Sequence, residues 1–495
     1  MKNKFLAFLI AAAALVAVPC IVSACGGHKH SYTDTVISPT CTQDGYTLHE
    51  CGCGASYKDK EVSASGHKLT DYVCTVCGEP DPKQLDSSGL VFELNADGKS
   101  YTVANRGEAA GRIIEIPASY QGKPVTAIGE KAFYRSGLIE YVLIPTTVTK
   151  IGAGAFEECA NLKSITLPKG VTEISNRVFL ECTRLVSVNL PDGITQIGNS
   201  AFSSCDSLGK INIPDGVTKI SDSAFYWCIS LANIKIPNSV TDIGLRAFEY
   251  CESLTDITMP ENAVNIAGTA FLNCGYYNDE SNWEGDVLYI GKHLIKAKEN
   301  FAGACKIKNG TLSIAAYAFD ACKNLTVVEI PQSVNFIGVS AFRKCENLTQ
   351  AELLCNVKSI EKDTFRLCSG LTEIILPEEV TSIGDYAFTE CINLEKITLP
   401  NGLEKIGVSA FQYCQSLKSL TLPKGVTEID DYSVSYCGLL ETISIPESVK
   451  SIGEGALSGC SALSEINYEG TAAQWNEIEK GVFWNGNTGS YTVYC

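Results

Sequence analysis

The stretch VTKIGAGAFEECANLKSITLP, Val148 to Pro168, returns along the chain with few changes, as VTEISNRVFLECTRLVSVNLP and then as ITQIGNSAFSSCDSLGKINIP. Phenylalanine, isoleucine and proline return with it at a constant spacing. A fixed period of about 20 to 29 residues predicts a solenoid, in which each repeat adds one unit to a continuous core. Cysteine keeps a step of 23 residues at positions 159, 182, 205, 228, 251 and 274, and again at 322, 345, 368, 391, 414, 437 and 460.

The apolar residues within each repeat predict one short strand. Ile165 and Leu167 alternate with Ser164 and Thr166, so the two apolar side chains share one face of the strand and the two polar ones share the other. Pro168 ends the strand because proline has no N–H to donate to a ladder. The predicted fold class is therefore a mainly β repeat solenoid with one short parallel strand per 23-residue repeat.

The repeating cysteine is predicted to be a packing residue. A free cysteine is among the most buried side chains, and stacked coils about 4.8 Å apart would align the thiols in a column. Disulfides and a chain of metal sites are the alternatives. Stacked Cβ vectors point the same way, which disfavours disulfides, and the repeats contain one histidine, His293. Free thiols are unusual in an exported protein, a conflict that an anaerobic habitat would remove.

The motif C-x-x-L-x-x-I-x-L-P-x-x-V-x-x-I-G-x-x-A-F is complete from Cys368 to Phe388. On this motif the chain resembles the BspA-like leucine-rich repeat family over residues 88 to 495. The resemblance implies a right-handed leucine-rich-repeat coil and a bacterial surface protein that adheres to proteins of host or neighbouring cells. The departures from the motif are small or apolar side chains, namely Ser136, Leu354, Val434 and Leu457.

Changes in composition divide the chain into segments. A front module precedes the repeats, and the regular period is broken near the middle and at both ends, where caps must cover the open core. We read the middle break as an irregular pair of coils through which the array continues. The predicted segments are a signal peptide at 1–24, a Cys/His-rich module and linker at 25–80, an N-terminal cap and first coil at 88–130, the solenoid at 131–468 with irregular repeats at 275–318, and a C-terminal cap at 469–495.

Residues 1–24 have the pattern of a lipoprotein signal peptide. Two lysines precede an apolar run, and the residues VSAC that end at Cys25 resemble the lipobox of bacterial lipoproteins. This resemblance implies export, cleavage before Cys25, acylation of its thiol and a lipid anchor on the outer face of a bacterial membrane. A plain transmembrane anchor over residues 5–24 is the alternative, and Cys20 is a poorer acylation position because Val-Pro precedes it.

The front module is predicted to hold a structural zinc within residues 28–80. Its CTVCG stretch forms a knuckle that presents two thiolates to one metal, and the module resembles small Cys/His domains that precede surface domains in anaerobic bacteria. That resemblance implies a zinc-ribbon-like spacer. A disulfide knot, which export favours, and an unstructured linker are the alternatives. The candidate ligands are Cys41, Cys51, Cys53, His67, Cys74 and Cys77.

The composition and motifs favour a binding protein. A net charge of -17 argues against a nucleic-acid partner, because phosphate contacts need clustered cations. The sequence contains no phosphate-binding loop, zinc-protease motif or serine-hydrolase motif, so no enzyme activity is predicted. We expect a monomer that binds an extracellular protein or glycan through the variable outward strand positions. A structural envelope protein or glycan-binding spacer is the alternative.

Aromatic residues suggest where a ligand binds. Trp227 and Tyr250, and likewise Tyr413 and Tyr436, occupy the position before the cysteine in consecutive repeats, so each pair is expected to form neighbouring contacts. Tyr276 and Trp283 lie in the irregular segment, where insertions often reach a binding face. Covering core at an irregular coil is the competing interpretation for this second group.

Overall fold

The computed structural model describes residues 31–41, 43–52, 54–64, 66, 69–70, 73–74 and 85–495, with only the backbone described for 69–70 and 73–74. The chain divides into two compact units, Met1–Lys83 and Gln84–Cys495. The second unit is a mainly β solenoid of about 17 turns, which confirms the predicted fold class. None of the helices in the described part of the chain has the length and apolar character needed to cross a bilayer.

The first unit contains two small antiparallel sheets. His49 lies on the central strand of the larger sheet, where its Nδ1 contacts Asp34 Oδ1 at 2.6 Å and its Nε2 contacts Asp59 Oδ1 at 2.8 Å. Hydrogen bonding to Asp59, and then to Asp34, raises the pKa of His49. Both ring nitrogens of this histidine are therefore engaged by carboxylates. The strands are Tyr32–Ile37, Gly45–Cys51 and Ser56–Val62, and in the second sheet Leu69–Thr70 and Val73–Cys74.

The leucine-rich segment of each repeat forms the predicted parallel strand. Register is constant, for example with Ile165 beside Val188 and Ile374 beside Ile397, so equivalent residues of successive repeats align. The strands of this first ladder are Leu85–Asp86, Ile113–Glu115, Tyr141–Leu143, Ser164–Thr166, Ser187–Asn189, Asn233–Lys235, Asp256–Thr258, Ala302–Lys306, Asn324–Ile330, Gln350–Leu353, Glu373–Ile375, Lys396–Thr398, Ser419–Thr421, Thr442–Ile445, Glu465–Tyr468 and Thr492–Tyr494.

A second ladder, which the sequence analysis did not predict, runs along the opposite side of the core. It contains the isoleucine that lies eight residues before the repeat cysteine, as where Ile220 pairs with Ile243. Each strand is two residues long, because the chain turns immediately after it. The strands are Lys150–Ile151, Gln196–Ile197, Lys219–Ile220, Asp242–Ile243, Asn265–Ile266, Ser313–Ile314, Phe336–Ile337, Ser359–Ile360, Ser382–Ile383, Lys405–Ile406, Glu428–Ile429, Ser451–Ile452 and Glu479–Lys480.

The phenylalanines form two continuous stacks between the ladders. From Phe133 to Phe271 and from Phe319 to Phe411 the side chains are at most 1% exposed. Consecutive rings lie between 5.1 Å, for Phe319 and Phe342, and 5.6 Å, for Phe156 and Phe179, with nearly parallel planes. Offset parallel stacking of this kind adds to the gain from burying the ring. The repeat period thus places one aromatic ring per coil at the centre of the core.

The cysteines form a second buried column, and each thiol has a hydrogen-bond partner. Cys182 Sγ donates to the carbonyl of Phe156 in the preceding coil at 3.1 Å, and the same carbonyl accepts the N–H of Cys159 at 3.1 Å. The equivalent thiol bond joins Cys414 to Phe388 at 3.3 Å. A buried carbonyl has two lone pairs to satisfy, so the thiol completes its hydrogen bonding. This contact distinguishes cysteine from alanine at the position.

Both ends of the solenoid are covered by irregular structure. At the leading end Val91–Leu94 pairs with Tyr101–Asn105, and Ser119–Tyr120 pairs with Lys123–Ile128. At the trailing end a helix, Ala472–Glu477, begins with a capping box between Thr471 and Gln474. Trp475 and Trp484 are partly buried there and pack against the hydrophobic core of the last coils.

The core of the solenoid is divided in two by a hairpin at the irregular segment. A short helix (Gly275–Asn278) and a 3-10 turn (Glu280–Asn282) lead into antiparallel strands Trp283–Glu284, Val287–Ile290 and His293–Ala297. Leu288 and Ile290 belong to the first hydrophobic cluster, whereas Val287 and Tyr289 belong to the second. Since successive side chains of a strand point to opposite faces, the strand Val287–Ile290 packs one face against each hydrophobic cluster. An antiparallel hairpin therefore stands where the sequence suggested an irregular pair of coils.

His293 at this junction is fully buried and makes one hydrogen bond. Its Nε2 donates to the carbonyl of Pro260 at 3.0 Å, and its Nδ1 has no partner among the described residues. Burial lowers the pKa of His293, while Glu261 raises it and Lys292 lowers it by smaller amounts. At a pH between the lowered pKa of the folded chain and the ordinary value of 6.5, His293 is protonated in the unfolded chain but not in the folded chain.

We therefore expect the contribution of His293 to the free energy of unfolding to be greatest above pH 6.5 and to decrease as the pH falls below 6.5. His293→Gln removes the titration but keeps a side-chain N–H donor. The difference in melting temperature between pH 7.5 and pH 5.5 should be smaller in this variant than in the wild-type protein. An equal difference in the two proteins would contradict a role for His293 in acid sensitivity.

Candidate binding surfaces

The outward face of the first ladder is a ribbon of exposed side chains. In Ser187–Asn189, Asn233–Lys235 and Ser419–Thr421 the central residue is buried and the two flanking residues are exposed. Parallel register aligns the outward residues of successive coils in two columns. Lys396 Nζ contacts Glu373 Oε1 in the same column at 2.8 Å, and Lys306 Nζ contacts Glu329 Oε1 at 2.6 Å. The face is therefore mostly polar, with charges that vary along it.

One part of this ribbon is apolar and concave. Ile375, at an outward strand position, is 62% exposed, and Leu354 is 51% exposed. They line a concavity of about 820 Å³ together with Glu352, Glu373 and Glu378. We call this surface the Ile375 concavity. Exposed apolar side chains grouped in a concavity are typical of binding surfaces.

The departure at Leu354 helps to create the Ile375 concavity. Leu354 stands where other repeats have proline, and its N–H donates to the carbonyl of Ile330 at 3.0 Å, a bond that proline cannot make. The next residue, Cys355, is 2% exposed, so its side chain lies in the hydrophobic core. Sequence analysis treated Leu354 only as a tolerated departure. Two signals could have identified the site: the missing proline and an apolar residue, Ile375, at a position that is usually polar.

The two aromatic pairs predicted from the sequence do meet. The rings of Trp227 and Tyr250 stack with centroids 5.4 Å apart, and Tyr226 meets Tyr250 edge-on at 5.9 Å. The rings of Tyr413 and Tyr436 stack at 4.7 Å with planes 14° apart. Three of the four paired residues, all except Tyr250, are exposed. We call these pairs the first and second aromatic platforms.

Tyr276 and Trp283 lie against the core and not beside the platforms. Both are partly buried and pack against the first hydrophobic cluster. Trp283 meets Tyr277 edge-on at 5.3 Å, and its Nε1 donates to the Tyr277 carbonyl at 2.9 Å. Lys298 Nζ lies 5.1 Å from the Trp283 ring. These contacts favour the interpretation in which the two residues cover the core where the coils are irregular.

The structure describes only part of the candidate zinc set. Cys41 is buried and Cys51 is half-buried, whereas only the backbone of Cys74 is described. Cys53, His67 and Cys77 lie outside the described residues, as does the acylation candidate Cys25. Within the described part of the chain no three metal-ligating side chains come together. The zinc site and the lipid anchor remain predictions.

The repeats match a known family over most of the chain. The family model described as "BspA type Leucine rich repeat region (6 copies)" matches residues 126–223, 172–302, 289–401 and 381–494. The chain belongs to the BspA-type leucine-rich repeat family. It is thus one of a family of bacterial surface repeat proteins that generally bind proteins and are not enzymes. No curated protein matches this BspA-type chain significantly.

Solved structures of bacterial leucine-rich repeat proteins also match the BspA-type array. A leucine rich cell surface protein from Faecalibacterium prausnitzii is 30% identical, covering 80% of this chain and 97% of that one, with a TM-score of 0.33. A leucine-rich repeat protein from Bacteroides ovatus is 24% identical, covering 82% and 99%, with a TM-score of 0.39. The leucine rich repeat protein of T. pallidum is 30% identical, covering 39% and 90%, with a TM-score of 0.37.

Proposed function

We propose that this protein is exported, held at the cell surface by a lipid on Cys25, and binds an extracellular protein of a host or neighbouring cell through the first ladder. The observation that carries the binding proposal is the Ile375 concavity. The family generally binds proteins, and this is where the outward ribbon changes from polar to apolar. The VSAC sequence that ends at Cys25 supports the lipid anchor.

The chemistry of the Ile375 concavity defines the kind of protein it suits. Ile375 and Leu354 offer exposed apolar side chains, and Glu352, Glu373 and Glu378 line the same concavity. Binding energy concentrates in such desolvated centres, while charges at the rim select the partner and speed its approach. The fitting partner is an extended segment with an apolar side chain flanked by lysine or arginine. The exposed outward residues of successive coils are aligned, so such a segment can continue along neighbouring coils.

Ile375→Asp is the sharpest test of this surface. Placing a carboxylate at this position should weaken binding at least about tenfold, because it removes the apolar anchor and puts a charge where the partner's apolar side chain would pack. Binding of the purified full-length protein to immobilised fibronectin, laminin, collagen and fibrinogen is measured by surface plasmon resonance. We expect the wild-type protein to bind at least one of them.

Thr421→Asp is the matched control, since Thr421 occupies the equivalent outward position two coils later, outside the concavity. It should bind as the wild type does. Circular dichroism melting should show both variants folded, because both positions are exposed. Absence of wild-type binding to every protein of the panel, or equal binding by Ile375→Asp and wild type, would contradict the proposal.

A further inference from the structure

We propose that the two aromatic platforms bind a neutral polysaccharide by stacking against its sugar rings. The platforms lie at the residue before the cysteine, whereas the Ile375 concavity lies on the first ladder, so the two sites share no residue. The proposal is therefore independent of the protein-binding function. It assigns a second kind of ligand, a chain of uncharged pyranose units, to the same array.

The backbone conformation at the platforms shows that the rings are not a requirement of the coil. Trp227 and Tyr250 both have φ of 60°, and Tyr413 and Tyr436 have φ of 61° and 56°. The same left-handed conformation occurs at Ser204 (φ 55°) and Asn273 (φ 58°), the residues before the cysteine in the flanking coils. A large ring is a strained choice in this region, where asparagine and small residues are better tolerated. The fold needs the conformation but not the aromatic side chain.

The side chains around the first platform suit hydroxyl groups. Ser204 precedes Trp227 in the column and Asn273 follows Tyr250, so short uncharged polar groups stand at both ends of the stacked pair. Trp227 therefore has an aromatic neighbour in this column on one side only, namely Tyr250, because Ser204 on the other side is small. Trp227 is 47% exposed, which leaves ring surface open to a ligand. A sugar ring that stacks there would extend the aromatic pair by one flat unit.

The second platform is another stacked aromatic pair, with different neighbours in the column. Tyr413 and Tyr436 stack on each other, and both rings are exposed. Gly459 follows in the column, and a Cβ there would lie 2.6 Å from Cδ1 of Tyr436. The ring thus occupies the space that a side chain at 459 would take. Glu390 precedes Tyr413 and supplies a carboxylate that can accept hydroxyl hydrogens.

The charge of the surface selects a neutral ligand. In other coils the platform column contains three glutamates, Glu158, Glu181 and Glu390, and two cations, Arg135 and Lys344, and the whole chain has a net charge of -17. Arg135 is engaged by Glu158, with Nε and Oε2 2.7 Å apart. Arg246, a cation close in sequence to the first platform, is engaged by Glu249, with Nε and Oε2 3.4 Å apart. An acidic polysaccharide would be repelled by this surface, whereas an uncharged one would not.

The test uses the purified full-length protein in native gels that contain mannan, β-glucan, xyloglucan or alginate. We expect at least one of the three neutral polysaccharides, and not anionic alginate, to retard the wild-type protein. Trp227→Asn combined with Tyr413→Asn should weaken that binding about tenfold or more, since both stacking surfaces are lost. Asparagine suits the left-handed conformation and is already present at the equivalent Asn273, so the variant should melt as the wild type does.

Phe483→Asn is the matched control, because Phe483 is an exposed aromatic residue at φ 52° that belongs to neither platform. It should bind polysaccharide as the wild type does. Ile375→Asp should also leave polysaccharide binding unchanged, which separates this proposal from the protein-binding one. Failure of all three neutral polysaccharides to retard the wild type would overturn the proposal, as would unchanged retardation of the double variant or equal weakening by Phe483→Asn.

Discussion

Phe225→Ala is expected to lower the free energy of unfolding by about 3 to 5 kcal/mol. Phe225 is fully buried and stacks between Phe202 and Phe248, each 5.2 Å away. Removing the ring opens a cavity within one coil and interrupts both stacking contacts. The neighbouring coils are tied by ladders on two sides, so they cannot collapse into the space. Urea unfolding followed by circular dichroism measures the loss.

Phe225→Leu is the natural control for this cavity. Leu457 occupies the equivalent position in a later coil and is fully buried there, so the coil accepts leucine at this place. We expect the cost to be clearly smaller than that of alanine, because leucine fills part of the space. If Phe225→Ala unfolded at the same urea concentration as the wild type, the assignment of the ring to the core would be wrong.

Two of the repeat cysteines, Cys391 and Cys159, are expected to react with thiol reagents about a thousandfold more slowly than exposed cysteine. Burial raises the pKa of Cys391 to about 12, and that of Cys159 likewise to about 12, from an ordinary value of 9.0. The thiolate is the reactive form, and its fraction at pH 8 falls about tenfold for each unit of pKa. Limited access through the packed coils slows the reaction further.

Peptide mapping after timed alkylation measures these rates for each cysteine in the full-length chain. Cys495 is exposed and serves as the internal reference for a reactive thiol. In denaturant the peptide that contains Cys391 should become labelled as fast as the one that contains Cys495. Labelling of Cys391 in the native protein at the rate of Cys495 would show that the cysteine column is open to solvent.

Slow reaction would also explain how this protein, if exported as we propose, can keep free thiols. A thiol that is buried, protonated and bonded to a backbone carbonyl, such as Cys414 with Phe388, resists both oxidation and disulfide exchange. Packing would thus offer a second way, beside an anaerobic habitat, to reconcile the proposed export with free cysteine.

The period of the sequence predicted most of the fold because a solenoid repeats one environment in every coil. Ile165, Phe156 and Cys159 had to be buried together, since the same three positions are apolar at nearly every turn and share one core. The same reasoning brought Trp227 next to Tyr250. Parallel stacking places residues one period apart side by side, so a column in the sequence is a column in space.

The repeat alone thus determined the solenoid, its buried columns and the meeting of the aromatic pairs. The tertiary structure decided the second ladder, the thiol-to-carbonyl bond, the Ile375 concavity and the hairpin that divides the core. These features depend on contacts across coils that one repeat does not encode. The apolar run at Val287–Ile290 shows the reason. Both of its faces are buried, so its sequence has no alternation of apolar and polar residues that would predict a strand, and only its packing between the two hydrophobic clusters reveals the hairpin.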